Sequence, residues 1–92
     1  MSAFCIIYLA DGEDHVVGGV YFTTAEKANQ AKDAVAEWAF LHPSDCQVED
    51  IAQWALPNHL TFNQKVQDLT FADDMTIETL RKHVYGDHKG KH

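Results

Sequence analysis

The chain has 92 residues, 46% of them apolar and 11% aromatic, which is enough for one hydrophobic core and excludes intrinsic disorder for most of its length. Its formal net charge of −7 argues against an ordinary DNA-binding or anionic-membrane-binding protein, because phosphate recognition needs clustered cations. The longest apolar run, Ala3–Ala10, is far shorter than the roughly 20 residues of a membrane span, and no basic region precedes it, which argues against secretion.

The N-terminal segment predicts a β-hairpin. Residues Phe4–Leu9 are apolar on both alternating faces of a strand, which is typical of a central strand covered on two sides. Asp11–Asp14 reads as the turn, with Gly12 supplying a positive φ angle, and Val16–Phe22 reads as the returning strand. The glycine pair Gly18–Gly19 inside that strand indicates a bulge or the close approach of another backbone.

A long helix is predicted next. Thr23 and Glu26 have the spacing of a capping box, in which each side chain accepts a hydrogen bond from the other residue's backbone N–H. Pro43 ends the helix at or before His42. The apolar residues follow at steps of three and four and form one stripe: Ala28, Ala31, Val35, Trp38 and Leu41.

Residues 46–56 fit two interpretations. Their apolar positions match the two-residue period of a strand, and an overlapping set matches a helix with Ser44 and Gln47 as its capping box. We favour the strand, because an isolated two-stranded hairpin is marginally stable. A right-handed crossover through the long helix then places it beside the first strand, in the order 2-1-3.

The remainder predicts two short helices. Thr61 and Gln64 form a second capping box before an apolar pattern, and Asp73 or Asp74 caps a last helix that ends at Gly86. We expect these helices to cover the second face of the first strand. The predicted fold class is therefore α+β: a small antiparallel sheet on one long helix, as a single domain over residues 1–86 with a flexible basic tail over 87–92.

The residue types for metal binding and catalysis are present, but without a diagnostic spacing. His42 and Cys46, with Cys5 and His59, offer ligand types for zinc, yet the sequence lacks a Cys-x-x-Cys pair and Pro43 interrupts the first two. Two cysteines are too few for a disulfide scaffold, so we expect reduced thiols and a cytoplasmic protein. No nucleophile motif or glycine-rich phosphate loop occurs. We therefore expect a non-enzymatic protein without cofactor, metal, small-molecule substrate or membrane partner.

The charge distribution favours a binding function. Residues 1–80 carry thirteen acidic side chains against three lysines, whereas residues 81–92 carry four basic side chains against one acidic. Blocks of one sign often mark interaction surfaces, although a soluble surface also needs charge. The candidate acidic contacts are Asp11, Glu13, Asp14, Asp45, Glu49, Asp50, Asp73 and Asp74. The candidate basic contacts are Arg81, Lys82, Lys89 and Lys91.

The hairpin and helix carry a resemblance. The segment from Phe4 to Ala28, with its Gly-Val-Tyr-Phe-Thr-Thr-Ala-Glu run, resembles small ββα proteins of bacteriophages and mobile elements, and the likeness extends to about residue 55. With its length and acidity, the chain resembles phage anti-CRISPR proteins of the group that inhibits the type I-F (Csy) complex. The resemblance implies a stoichiometric inhibitor that binds Cas protein subunits of the crRNA-guided complex and prevents target DNA from hybridising or docking. The basic tail departs from a pure DNA mimic and leaves open a contact with guide RNA.

A second class of function is compatible with the same residues. A small phage or host accessory protein, similar to an antitoxin, would dimerise or dock on one protein partner through an apolar patch. Concentration-dependent dimerisation without affinity for Cas complexes would distinguish it from an inhibitor.

Overall fold

Strand β1 (Phe4–Ala10) lies at the centre of the molecule and is buried on both faces. A computed structural model describes residues 1–54 and 60–89. Because side chains alternate along a strand, Ile6 enters one core, while Cys5 and Ile7 enter a second core on the other face. The sequence prediction of a central strand covered on two sides is confirmed.

The hairpin turn is tighter than predicted. Strand β2 (Glu13–Val16) pairs antiparallel with β1, and Ala10 lies opposite Glu13. Only Asp11 and Gly12 remain in the turn, with φ angles of 55° and 79°. Two consecutive positive φ angles are typical of the type I′ turn that joins two-residue hairpins. Glu13 and Asp14 therefore belong to the strand, and the predicted four-residue turn is corrected.

The predicted returning strand over Val16–Phe22 is interrupted. Gly18 and Gly19 adopt φ angles of 77° and 65°, which bulge the chain out of its pairing with β1 between Val17 and Phe22. The chain then forms β3 (Val20–Tyr21), which pairs in parallel with β5 (Thr70–Phe71), a strand that the sequence did not indicate. Another backbone approaches the glycines, as predicted, because the Thr70 backbone N–H donates to the Gly19 carbonyl oxygen at 2.8 Å. The Val84 side chain also lies against Gly18. The chain rejoins β1 at Phe22, which exchanges two backbone hydrogen bonds with Phe4, at 2.7 and 2.9 Å.

Helix α1 (Ala25–Trp38) begins one residue later than predicted. The Thr24 hydroxyl accepts a hydrogen bond from the Lys27 backbone N–H at 3.2 Å, so Thr24 is the N-cap and the capping box predicted at Thr23 is wrong. The helix ends well before Pro43, because Phe40 takes a left-handed conformation with φ 63°. This conformation costs a residue with a side chain about 1 kcal/mol or more.

Strand β4 (Cys46–Asp50) follows α1 and confirms the strand interpretation and the order 2-1-3. It pairs antiparallel with β1, with Tyr8 opposite Cys46 and Phe4 opposite Asp50. The strand is shorter than expected, because a 3-10 turn occupies Ile51–Gln53. The rest of the predicted strand, from residue 55, lies outside the described residues.

The two C-terminal helices cover different faces of the sheet. Helix α2 (Phe62–Lys65) has the predicted capping box of Thr61 and Gln64, and it packs on the second core. Helix α3 (Ile77–Lys89) packs with α1 instead, through Leu80 and Val84 in the first core. The expectation that both helices cover the second face is therefore correct for α2 and wrong for α3.

The ends of α3 also differ from the prediction. The Thr76 hydroxyl accepts a hydrogen bond from the Thr79 backbone N–H at 3.1 Å, where Asp73 or Asp74 was expected to cap. Gly86 lies inside the helix, which continues to Lys89, so part of the predicted flexible tail is helical. Within the described ranges, no helix is long and apolar enough to cross a membrane.

We predict that Gly18→Ala destabilises the protein by about 2 kcal/mol or more. A Cβ atom there would lie 3.0 Å from both methyl groups of the buried Val84, at a φ of +77°. Gly12→Ala is the matched control, because Gly12 has a φ of +79° but no atom within 4 Å of the added carbon. Chemical denaturation measures the loss of unfolding free energy in each variant, and the difference between the two losses is the steric part. Equal losses would contradict a steric clash between the added carbon at residue 18 and Val84.

A second substitution tests the extent of α3. Gly86→Ala is expected to stabilise the protein by about 0.5–1 kcal/mol, since glycine in a helix interior is less favourable than alanine. The added carbon at Gly86 meets nothing within 4 Å. A loss of stability in thermal unfolding would indicate that the helix ends at this glycine.

Candidate functional site

The second face of the sheet carries a shallow acidic groove of about 220 Å³. Strand pairing builds it: Asp14 lies opposite Leu9, and Gln47 lies opposite Ile7, so these side chains emerge on one face. The lining residues are Ile7, Leu9, Asp14, Asp45, Gln47 and Glu49. We call this feature the acidic groove. It places Asp14 of the hairpin in the same groove as Asp45 and Glu49, which come much later in the chain.

Leu9 gives the acidic groove an apolar side chain that the sequence analysis did not single out. It is 62% exposed, although it continues the strand that buries Ile7. Helix α2 covers β1 only near Cys5 and Ile7, and the next residue on that face extends past the cover. The two-residue period of β1 was the available signal, because it places Leu9 on the same face as Ile7.

The hairpin tip contributes less than predicted. Asp11 and Glu13 are both exposed, but Glu13 lies opposite Ala10 and so points to the face opposite Asp14. Only Asp14 of the predicted tip cluster lines the acidic groove. The acidic side chains of the tip therefore divide between the two faces of the sheet.

The lysines of residues 1–80 all make contacts within the chain. The ammonium group of Lys32 donates to the carbonyl oxygens of Pro43 at 2.9 Å and Cys46 at 3.2 Å. Lys65 donates to the carbonyl oxygen of Ala52 at 2.9 Å, and Lys27 contacts the Asp73 carboxylate at 3.3 Å. None of these lysines lines the acidic groove.

Two of the predicted contact residues make hydrogen bonds within the chain. The Asp50 carboxylate accepts from the backbone N–H of Ala3 at 2.8 Å and of Ala52 at 3.0 Å, which fastens the N-terminus and caps the 3-10 turn. Asp73 is 7% exposed at its side chain and accepts from the Thr23 backbone N–H at 3.0 Å and from the Thr23 hydroxyl. Both carboxylates are therefore directed towards backbone groups of the molecule itself.

The remaining predicted residues lie away from the acidic groove. Asp74 is exposed in the loop before α3. Arg81 and Lys82 are exposed on α3, on the opposite side of the sheet, and Lys82 lies 3.7 Å from Glu78. Lys89 is the last residue of α3, and Lys91 lies outside the described residues. Glu49 stays in the groove while accepting a hydrogen bond from the Trp54 indole at 3.2 Å.

The cysteines are separated by the sheet. Cys5 belongs to the second core and Cys46 to the first, so the two cysteines considered as zinc ligands lie on opposite faces of the sheet. Burial, with a smaller contribution from Asp50, raises the pKa of Cys5 to about 12, and burial raises the pKa of Cys46 as well. In residues 1–54 and 60–89, no three His, Cys, Asp or Glu side chains are placed to hold a metal ion, and His59 lies outside these ranges.

Asp73 fastens the start of α1 to the segment before α3. Burial opposes ionisation of its carboxyl group, but hydrogen bonds from Thr23 and the nearby Lys27 ammonium outweigh burial and lower its pKa. A lowered pKa in the folded state contributes stability that is present above the ordinary aspartate pKa of about 4. That stability is lost as the pH falls through the lower pKa of the folded state.

We predict that Asp73→Asn lowers the free energy of unfolding at neutral pH by about 1–2 kcal/mol, because charge-assisted hydrogen bonds are lost. The variant should also lose less stability than the natural protein between neutral and strongly acidic pH. Urea denaturation at several pH values measures both effects, with Asp74→Asn as the exposed neighbouring control. Parallel pH profiles of the natural protein and Asp73→Asn would contradict the role of Asp73.

Comparisons of the chain with protein-family models, with curated protein sequences and with solved structures found no match.

Proposed function

We propose that this protein is a non-enzymatic phage inhibitor of bacterial CRISPR–Cas immunity that binds the type I-F crRNA-guided complex and blocks target DNA binding. The observation that carries the proposal is the acidic groove, which Asp14, Asp45 and Glu49 line together with the exposed Leu9. The resemblance of the whole chain, in its length and acidity, to phage inhibitors of the type I-F complex supports the choice of this complex over other cationic partners.

A rigid display of carboxylates suits a surface that normally holds nucleic-acid phosphates. Such a surface carries arginine and lysine side chains, and an acidic domain gains the same long-range attraction as the nucleic acid it displaces. Asp14 and Glu49 are carried by paired strands, so little conformational entropy is lost on binding. Leu9 adds apolar area that nucleic-acid phosphates do not offer, which favours a protein partner.

The exposed cations give the proposed inhibitor a second contact. Arg81 and Lys82 lie on α3, on the opposite side of the sheet from the acidic groove. In the guide-loaded complex they would approach guide RNA while the groove meets Cas subunits. The inhibitor would act in the cytoplasm of the infected bacterial cell, at one or a few copies per complex.

We predict that the double charge reversal Asp14→Lys and Asp45→Lys raises the concentration needed for inhibition at least about tenfold. Two local charges at a steered interface contribute this much or more. The measurement is a gel shift of target DNA by purified, guide-loaded type I-F complex, with the protein titrated in equimolar steps. The salt dependence of binding should also become weaker in the variant.

Asp33→Lys with Glu37→Lys is the matched control, because both residues are exposed on α1 and the net charge changes by the same amount. The control should inhibit within about twofold of the natural protein. Equal losses in the two double variants would assign the effect to net charge and remove the acidic groove from the proposal. If the groove variant inhibits at the same concentration as the natural protein, the acidic groove is likewise removed from the proposal. If the natural protein does not inhibit, the proposed function is refuted.

An aromatic patch favours a second candidate function, docking or dimerisation of a small accessory protein. Tyr21 contacts Phe62 and Phe71, with ring centroids 6.4 Å and 5.7 Å apart. These rings and Met1 line an open cavity of about 350 Å³, and Phe71 is 39% exposed. A concentration-dependent dimer in light scattering that Phe71→Ala abolishes, together with an unaffected gel shift, would favour this candidate over the inhibitor.

A further inference from the structure

Strand β2 forms an edge of the three-stranded sheet, because it pairs with β1 on one side only. The Val17 backbone N–H donates to the Ile6 carbonyl oxygen at 2.8 Å, which makes these two residues a hydrogen-bonded pair. Hydrogen-bonded and non-hydrogen-bonded pairs alternate along antiparallel strands. The register therefore places Asp14 and Val16 in non-hydrogen-bonded pairs, with their backbone N–H and C=O groups directed away from β1.

These four backbone groups form the outer edge of β2. Within residues 1–54 and 60–89, no group of the protein forms a hydrogen bond with them. Asp14 is exposed, and Val16 is half-buried at the margin of the second core. A row of unpaired N–H and C=O groups is a template on which another chain can add a strand.

The side chains along this edge are acidic on both faces of β2. Asp14 lies on the face of the acidic groove and Glu13 lies on the opposite face, and both are exposed. Asp11, in the turn, is exposed as well. His15 shares the face of Glu13, and the strand contains no lysine or arginine. The edge therefore attracts a basic segment and repels an acidic one.

The Val16 end of the edge adjoins a cavity of about 370 Å³. Its apolar lining consists of Val16, Ile51, Trp54, Leu60 and Leu69. Lys65 and Asp68 are the charged residues of the lining, and the Lys65 ammonium group donates to the carbonyl oxygen of Ala52 at 2.9 Å. Neighbouring side chains on one face of a strand are about 7 Å apart. In an added strand, one apolar side chain beside Val16 would enter the cavity, while the next on that face would meet Asp14.

We propose that the outer edge of β2 binds an extended basic segment of a partner protein, which pairs with it as an added antiparallel strand. The backbone groups of Asp14 and Val16 supply the hydrogen bonds, and the cavity and the carboxylates select the side chains. An antiparallel strand is expected because that pairing is slightly more stable than the parallel one. The inference goes beyond the proposed inhibition, since it requires no Cas component.

The charge of the edge decides between the possible occupants. In a second copy of this chain, paired through the same edge, Glu13 and Asp14 would meet acidic side chains of the same kind, and each copy carries a net charge of −7. Like charges directly opposite each other across paired strands are destabilising. Nucleic-acid phosphates would meet the same repulsion, and they offer no backbone amide to the carbonyl oxygens of β2. A basic protein segment satisfies both the hydrogen bonds and the charge.

The test uses the full-length protein and an acetylated, amidated peptide of sequence Thr-Thr-Val-Thr-Lys-Lys-Thr. With its valine opposite Val16, the peptide places one lysine opposite Asp14 and the other opposite Glu13. NMR follows the hydrogen exchange of the backbone amides during titration at low salt. We expect exchange at Asp14 and Val16 to slow about fivefold or more near saturation, because their N–H groups become hydrogen-bonded. The His15 amide is already paired with β1, so its exchange should change less.

Two methylated peptides separate strand pairing from attraction between charges. Methylation of the valine nitrogen removes the N–H that would donate to the Val16 carbonyl oxygen and should weaken binding about fivefold or more. Methylation of the nitrogen of the following threonine is the matched control, because that N–H would point away from β2. The control peptide should bind within about twofold of the unmodified one.

A pair of protein variants tests the selection of a basic segment. Glu13→Gln with Asp14→Asn should weaken binding about threefold or more and reduce its dependence on salt, because two exposed ion pairs are lost. Asp33→Asn with Glu37→Gln changes the net charge equally at exposed positions of α1 and should leave binding nearly unchanged. A peptide with glutamates in place of both lysines should not bind.

The possible contrary results each remove a different part of the proposal. Unchanged exchange at Asp14 and Val16 with saturating peptide would overturn the added strand. Equal binding of the two methylated peptides would do so too, and would reduce the interaction to charge attraction. Equal binding of the glutamate peptide would overturn the choice of a basic segment. Slower exchange at these amides as the protein concentration rises, without peptide, would assign the edge to a second copy of this chain.

Discussion

The burial of strand β1 on both faces is the constraint on which the rest of the structure depends. Phe4, Ile6 and Tyr8 contact one core, while Cys5 and Ile7 contact the other, so each face needs its own cover. A chain of this length can supply two covers only by sending distant segments to opposite sides of one strand. Helices α1 and α3 cover the first face, and α2 with the turn at Ile51 covers the second.

Charged side chains hold these distant segments in place. The charged groups that make such internal contacts differ from those that stay exposed on the surface. Lys32 and Lys65 bind loop carbonyl oxygens, and Asp50 and Asp73 bind backbone N–H groups at chain junctions. Buried or half-buried polar groups need such partners, because leaving them unpaired in the interior is costly. The cations of the body are thereby committed to structure, whereas most carboxylates stay exposed.

The acidic groove and the exposed cations of α3 lie on opposite sides of the sheet. Carboxylates line the groove together with Leu9, whereas Arg81 and Lys82 are exposed on α3. Under the proposed function, the groove would meet a cationic protein surface and the cations would face an RNA strand.

Local patterns in the sequence determined β1, α1 and the capping box at Thr61, because alternation, apolar stripes and caps involve residues close together in the chain. The order of the three strands followed from the preference for a right-handed crossover through the long helix. Only the tertiary structure decided the roles of Thr23 and Asp73, which meet across a separation of 50 residues. It also decided that Gly18 lies against Val84. The strand register places Asp14, but not Glu13, in the same groove as Asp45 and Glu49. These contacts depend on strand register and helix docking, which the whole core sets together and short segments cannot specify.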